Sequence, residues 1–287
     1  MKAFKLMQSI KTFRLMQSIK TFRLMQSIKK FRLMIRYLKF NLSSQMEYRG
    51  NFILQTIGMV INDVFLLFFW WILFQKVGTI KDYGMNEMLL VYSITTFSFG
   101  ISMTLWGNQS LISRMIMTGE IDSFLILPRP VLFHILISRI SLSALGDLVF
   151  GFFLFFFSGY LSLLNFLLFI FLGVMGAVLL CAYNVLFHSF TFWYGDFTAV
   201  AEVVPDSIIT FSLNPEGIYT SVSKVIIQTV IPAMYFSFLP VRLIKEFSIF
   251  SFLFLLIADT VFVLAAHIVF YKGLKRYESG NLISKKI

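Results

Sequence analysis

The chain has 287 residues, of which 58% are hydrophobic and only 14% charged, with a mean hydropathy of +0.81. Soluble domains average about a quarter charged, so this composition excludes an ordinary soluble fold and predicts an all-α polytopic membrane protein. The net charge of +11 is confined to one arm, because residues 1–40 carry eleven Lys and Arg and no acid, leaving fourteen of each sign elsewhere. That arm leads directly into a membrane span. Anionic membrane lipids are therefore its expected partner and nucleic acid is not, at about 1 kcal/mol per basic residue near a headgroup surface.

Residues 1–30 are an internal repeat of period nine, with KTFRLMQSI at 11–19 and again at 20–28 before a diverging copy at 29–37. At about 100° per helical residue, this period turns each copy's apolar set away from its neighbour's, so no continuous stripe forms. The arm reads either as a duplicated membrane-surface segment outside the fold or as an anchor, and its lack of acids also resembles an organellar transit peptide. Met16, Met25, Met34 and Met46 are alternative starts. The fold proper is expected over 31–282, with 283–287 as a cytosolic tail. Met34, Tyr37 and Leu38 share a face, which predicts an amphipathic interfacial helix over 31–48.

Because about 20 apolar residues cross the ~30 Å hydrocarbon layer, six transmembrane helices are predicted. They run from Phe52 to Gln75, Met88 to Trp106, Val131 to Phe157, Leu161 to Leu186, Val225 to Leu239 and Ile249 to Tyr271. Ser158-Gly159-Tyr160 marks a tight turn between the third and fourth. Residues 187–221 leave the fifth span open. They are polar at Asp196, Glu202 and Asp206 yet apolar at Val203, Val204, Ile208 and Ile209. Either this segment is interfacial, or it crosses at 191–212 while 225–239, bracketed by Pro232 and Pro240, dips in and returns. Trp70, Trp71 and Trp106, near span ends, read as interface anchors.

With the amino terminus inside, the cytosolic segments hold nineteen basic residues against four outside. This predicts both termini in the cytoplasm of a cell whose inner membrane holds the chain. The stretch 108–131 then faces the cytosol. Leu111, Ile112, Met115 and Ile116 recur at helical spacing, and Asn108, Gln109, Ser113 and Arg114 are expected to turn the other way. Gly119 is placed to stop this helix in a left-handed cap, Glu120 and Asp122 follow, and Pro128-Arg129-Pro130 ends the segment.

Gly119-Glu-Ile-Asp-Ser-Phe-Leu-Ile-Leu-Pro-Arg-Pro130 resembles the loop after the second span in membrane subunits of type-2 ABC exporters. Three other pieces are similar to the same family: Tyr48-Arg-Gly-Asn-Phe52, Pro215-Glu-Gly-Ile-Tyr219 with the prolines after it, and Lys275-Arg-Tyr-Glu-Ser-Gly280. The resemblance implies a bacterial exporter permease working as a dimer with itself or a sibling, above two copies of a cytosolic ABC ATPase. It implies that the helix near 108–118 is a cytosolic coupling helix, with Arg114, Glu120 and Asp122 meeting the ATPase.

Asp63, Asp147 and Asp259 fall inside predicted spans, where an ionisable group costs at least about 2.5 kcal/mol and should face a bundle interior or a wet cavity. They are candidates for lining a translocation route; interhelical hydrogen bonding is the plainer role. His134, His188 and His267 share no ligand spacing, so neither metal nor cofactor is expected. No Gly-x-x-x-x-Gly-Lys-Ser/Thr loop or hydrolase motif occurs, so the chain is expected to be no enzyme and to leave ATP hydrolysis to a partner. The alternative is a secondary transporter or channel driven by an ion gradient through the buried acids.

Overall fold

The computed structural model describes residues 32–44, 49–81, 83–128 and 130–278. The repeat arm, the tail and Arg129 lie outside these. Among the described residues the chain is helical, with no strand and one isolated bridge between Ile80 and Tyr83.

The first helix, α1 (32–44), is amphipathic as expected: Met34, Tyr37 and Leu38 are half-buried while Arg36 and Lys39 are exposed. Tyr37 meets His134 edge-on, and Asn41 Nδ2 donates to the Ser138 carbonyl at 3.2 Å. Four later helices are long and apolar enough to cross a membrane, namely those within Ile53–Val77, Met85–Thr118, Leu163–Tyr194 and Ile249–Leu274. They correspond to α2 (Arg49–Val77), α3 (Met85–Trp106), α8 (Leu163–Ser189) and α13 (Ile249–Leu274).

The hub is α3. Its apolar window is 72% buried, against 17% in α13, whose Ile257, Val261 and Leu264 are left exposed as side chains facing lipid would be. The bundle closes around α3 because small residues let backbones touch. A Cβ at Gly151 would sit 2.5 Å from the Phe97 amide nitrogen, and one at Gly100 would sit 2.4 Å from that of Leu148. Two of the hydroxyls buried on α3 return to its own carbonyls, Ser93 to Leu90 and Thr96 to Tyr92, while Thr95 donates to the Ser237 hydroxyl.

Two expected spans are not straight helices. The third divides into α6 (Val131–Ser138) and α7 (Ala144–Phe157), because residues 139–143 leave the helix. There the Ser141 amide donates to the Met103 carbonyl of α3 at 3.0 Å instead of to its own helix, over the bare backbone of Gly107. The fifth, 225–239, is a pair of helical pieces bent by 77°. The first piece is α11 (Ser221–Thr229); Pro232 follows, then a π turn over Met234–Phe238 and α12 (Leu239–Lys245). Proline removes a donor and clashes with the preceding turn, so the chain bends there.

The remaining elements are α4 (Ile112–Thr118), reached through a 3₁₀ turn at Gly107–Leu111, the short α5 (Asp122–Leu125) and α9 (Thr191–Tyr194), α10 (Thr198–Ser212) and a 3₁₀ turn at Glu216–Ile218. The predicted turn at Ser158-Gly159-Tyr160 is present, with Gly159 at φ +78°. Trp70 is no surface anchor: it is buried, and its indole nitrogen donates to the Tyr92 hydroxyl at 3.1 Å. Trp71, the next residue along α2, is exposed.

Candidate functional site

The segment 107–125 is built to hold α4 firmly while showing a little of it. Ile112, Met115 and Ile116 are buried against Ile135, Cys181, Val185 and Phe270. The polar residues expected on the outer face are mostly inside as well. Asn108 Nδ2 donates to the Ile135 carbonyl (3.1 Å) and the Ser138 hydroxyl (2.8 Å), and Gln109 Nε2 donates to the Ser102 hydroxyl (2.8 Å). Ser113 is fully buried: its hydroxyl lies 2.8 Å from His188 Nδ1, its amide donates to the same nitrogen at 3.3 Å, and Thr191 Oγ1 donates to Ser113 Oγ at 2.9 Å. Helical spacing marks one apolar stripe. It does not show that the remaining face will be met by hydrogen-bonding partners from α3, α6, α8 and α9.

Of the four polar residues assigned to that face, Arg114 alone is exposed. Gly119 adopts the predicted left-handed cap at φ +78°, turning the chain so that exposed Glu120 and half-buried Asp122 follow at once. Arg114, Glu120 and Asp122 line one cleft of about 780 Å³ with Arg139 and Phe124. Tyr277, beyond the end of α13, packs edge-on to Phe192. Burial and the neighbouring Asp122 carboxylate push its phenol up to about 12.

The three intramembrane acids do not form one cluster. Asp63 of α2 and Asp147 of α7 share a cavity of about 180 Å³ with Thr95, Thr96 and Phe99 of α3. Each is more than nine-tenths buried, and one carboxylate oxygen of each lacks a hydrogen-bond partner. Asp259 is equally buried on α13 but does not line that cavity.

At the other end of the bundle lies an ion-pair network that the sequence did not single out. Glu216 pairs with Arg242 through two contacts, its Oε2 accepting from Arg242 Nε at 3.0 Å and, more weakly, from the Tyr83 hydroxyl at 3.4 Å. Lys245 Nζ lies 3.3 Å from Glu87, which also accepts from the Tyr160 hydroxyl. Burial and the adjacent carboxylates raise the phenols of Tyr83 and Tyr160, the latter to about 12. These residues converge across 26 to 158 positions of chain, so spacing carried no sign of them; only Pro215-Glu216-Gly217 stood out, as part of a motif. Among the described residues, no three His, Cys, Asp or Glu side chains are grouped as a metal would need.

Residues 60–280 match the family model described as ABC-2 family transporter protein. The chain belongs to that family. No curated protein and no solved structure matched it. The ABC-2 match makes the chain a membrane permease of the ABC transporter class, and it takes in the α4 segment, all three intramembrane acids and the ion-pair network. Helix α1 lies before it.

Proposed function

We propose that this ABC-2 permease is one half of an ATP-driven exporter, coupled to a separate cytosolic ABC ATPase and paired with a second permease copy or a sibling. The observation that carries the reading is the combination at α4: a helix packed on α8, α9 and α10, whose lead-in turn at Gly107–Leu111 is held by α3 and α6, with Arg114, Glu120 and Asp122 around one open cleft. Force applied there is passed to α8 through Ser113 and His188 instead of being lost in a flexible loop. A two-state element biased by nucleotide is what alternating access requires.

In this reading the α4 end is cytosolic, both termini are cytoplasmic, and the membrane is a bacterial inner membrane. Six passes follow if α10 is counted as the fifth. Its start adjoins α9, and it is followed closely by Glu216, which meets Arg242 and Tyr83 at the far end. Ser221 and Lys224 at one end of the bent α11–α12 pair line the same cleft as Arg242 and Lys245 at the other, which favours a segment that dips in and returns. Asp63 and Asp147 would then line a wet part of the route, and Asp259 a separate point on it.

Co-purification tests the reading. An ABC ATPase should be retained by the wild-type permease and lost on Glu120→Arg, with the folded yield unchanged. Substrate movement that continues undiminished in the absence of any ATPase would overturn it. The shared Asp63–Asp147 cavity favours gradient drive as the second reading. There, Asp63→Asn or Asp147→Asn would abolish dependence on a proton gradient, which an ATP-driven permease would not show.

A further inference from the structure

The end of the bundle opposite α4 holds a cleft of about 750 Å³ between the α2–α3 turn, the segment around Gly217 and the end of α12. We propose that this cleft binds a phosphate-bearing head group.

Its walls carry Lys81, Lys224, Arg242 and Lys245 against the acids Glu216 and Glu246. The pairing inside it leaves the excess available. Glu216 is taken up by Arg242, and Lys245 is taken up by Glu87, while among the described residues Lys81 and Lys224 have no ion-pair partner and both are exposed. Glu246, exposed and also lining the cleft, offsets one of these charges and leaves the cleft with a net positive balance. Two uncommitted ammonium groups on one cleft are the point-charge arrangement that suits a phosphate.

A second observation comes from the backbone. Among the described residues only Lys81 (φ +44°) and Ser221 (φ +48°) are non-glycine residues in the left-handed region, and both line this cleft. Such strain costs of order 1–3 kcal/mol and tends to collect at ligand clamps. The strained turn is accommodated by Gly217: a Cβ there would lie 2.6 Å from that of Lys81, so any larger residue would push the lysine off its seat. Thr220 and Ser221, at the start of α11, also open on the cleft, bringing hydroxyls and the positive end of a nine-residue helix to the same place. Ser248 and Ser251 bring two further hydroxyl-bearing side chains to its lining. Charge, helix polarity and hydroxyl donors together fit a phosphate ester of a polyol better than a carboxylate or an apolar molecule.

The head group has two possible sources, a soluble phosphate ester or a lipid of the adjoining leaflet, and the test separates them. Full-length permease in neutral detergent is titrated with glycerol 3-phosphate, with glycerol as the control at matched ionic strength. In parallel, it is reconstituted with phosphatidylglycerol or phosphatidylcholine, and the retained lipid is read by native mass spectrometry. Saturable binding of the ester, selective retention of phosphatidylglycerol, or both, is expected. Each should weaken by about tenfold or more in Lys81→Gln/Lys224→Gln and be unchanged in Lys76→Gln, whose lysine lies at the end of α2 outside the cleft. Absence of both, or equal loss in the double variant and the Lys76 control, overturns the proposal. It rests on the exporter reading only for which leaflet supplies the lipid. Because neither arm uses an ATPase, failed binding leaves that reading intact, and failed ATPase retention leaves this one intact.

Discussion

At the α2–α3 end of the bundle the acids Glu87 and Glu216 are each held by a cation, whereas at the α4 end Arg114 and Glu120 stand exposed on a segment held by neutral hydrogen bonds. The difference shows two uses of charge. Pairing across distant segments ties the α2–α3 turn, the 216 region and α12 into one rim, and it works only while each partner is present. The charges near α4 are kept out of that role. They remain hydrated, cost no desolvation and are available to complement another surface, where exposed charge favours encounter and register over raw affinity.

Removing the neutral clamp should have the largest effect. His188 is fully buried, and its Nδ1 receives both the Ser113 amide and the Ser113 hydroxyl. His188→Ala leaves those donors unsatisfied beside a new cavity, so a loss of about 2–4 kcal/mol is expected, read as a lower thermal midpoint of the purified permease. His188→Asn, which keeps an acceptor, should restore part of it; a midpoint unchanged in both would show that the clamp holds nothing. Breaking the paired rim should cost less. Glu216 is buried, but the Arg242 side chain is half exposed, so water screens the pair. Glu216→Gln is expected to cost about 1 kcal/mol after that discount, with the gap from wild type narrowing in 1 M salt. A gap that widens with salt would contradict an ion-pair origin.

How much of this was legible in sequence depended on the range of the interactions. Apolar length alone located α2, α3, α8 and α13 to within a few residues, and Gly119 was readable as a cap because only a residue tolerant of positive φ stops a helix that way. The break at residues 139–143 was not readable, since it exists to let Ser141 meet Met103 on another helix. Pro232 and Pro240 signalled an interruption and apolar length argued for a span; the segment is two helical pieces bent by 77° on either side of Pro232, so the interruption was legible. At the site, the run from Arg114 to Asp122 was visible because the whole cleft is built from neighbouring stretches of chain. Asp63 and Asp147 were visible as misfit charges, though not as partners in one cavity. The Glu216–Arg242 pair and the role of His188 depend on contacts that no local pattern encodes, so a histidine with no spacing to suggest a role proved to be the central acceptor of the α4 clamp.

The smallest effect on stability is expected from exposed positions that report which solution each end of the bundle meets. Glu120 and Glu246 are both exposed and stand at opposite ends of the bundle, so Glu120→Cys and Glu246→Cys should each change stability by no more than about 0.5 kcal/mol. The native Cys181 is buried and contributes little background to a thiol reagent. With a membrane-impermeant maleimide on intact cells, the cysteine at 246 should label at once. The cysteine at 120 should label only after the membrane is opened, and retention of an ATPase should then shield it. Labelling of both from the same side would mean that the paired rim and the exposed charges do not face different solutions. The α4 segment would then be as far from a cytosolic motor as the rim is, and coupling through Arg114, Glu120 and Asp122 would have no physical route.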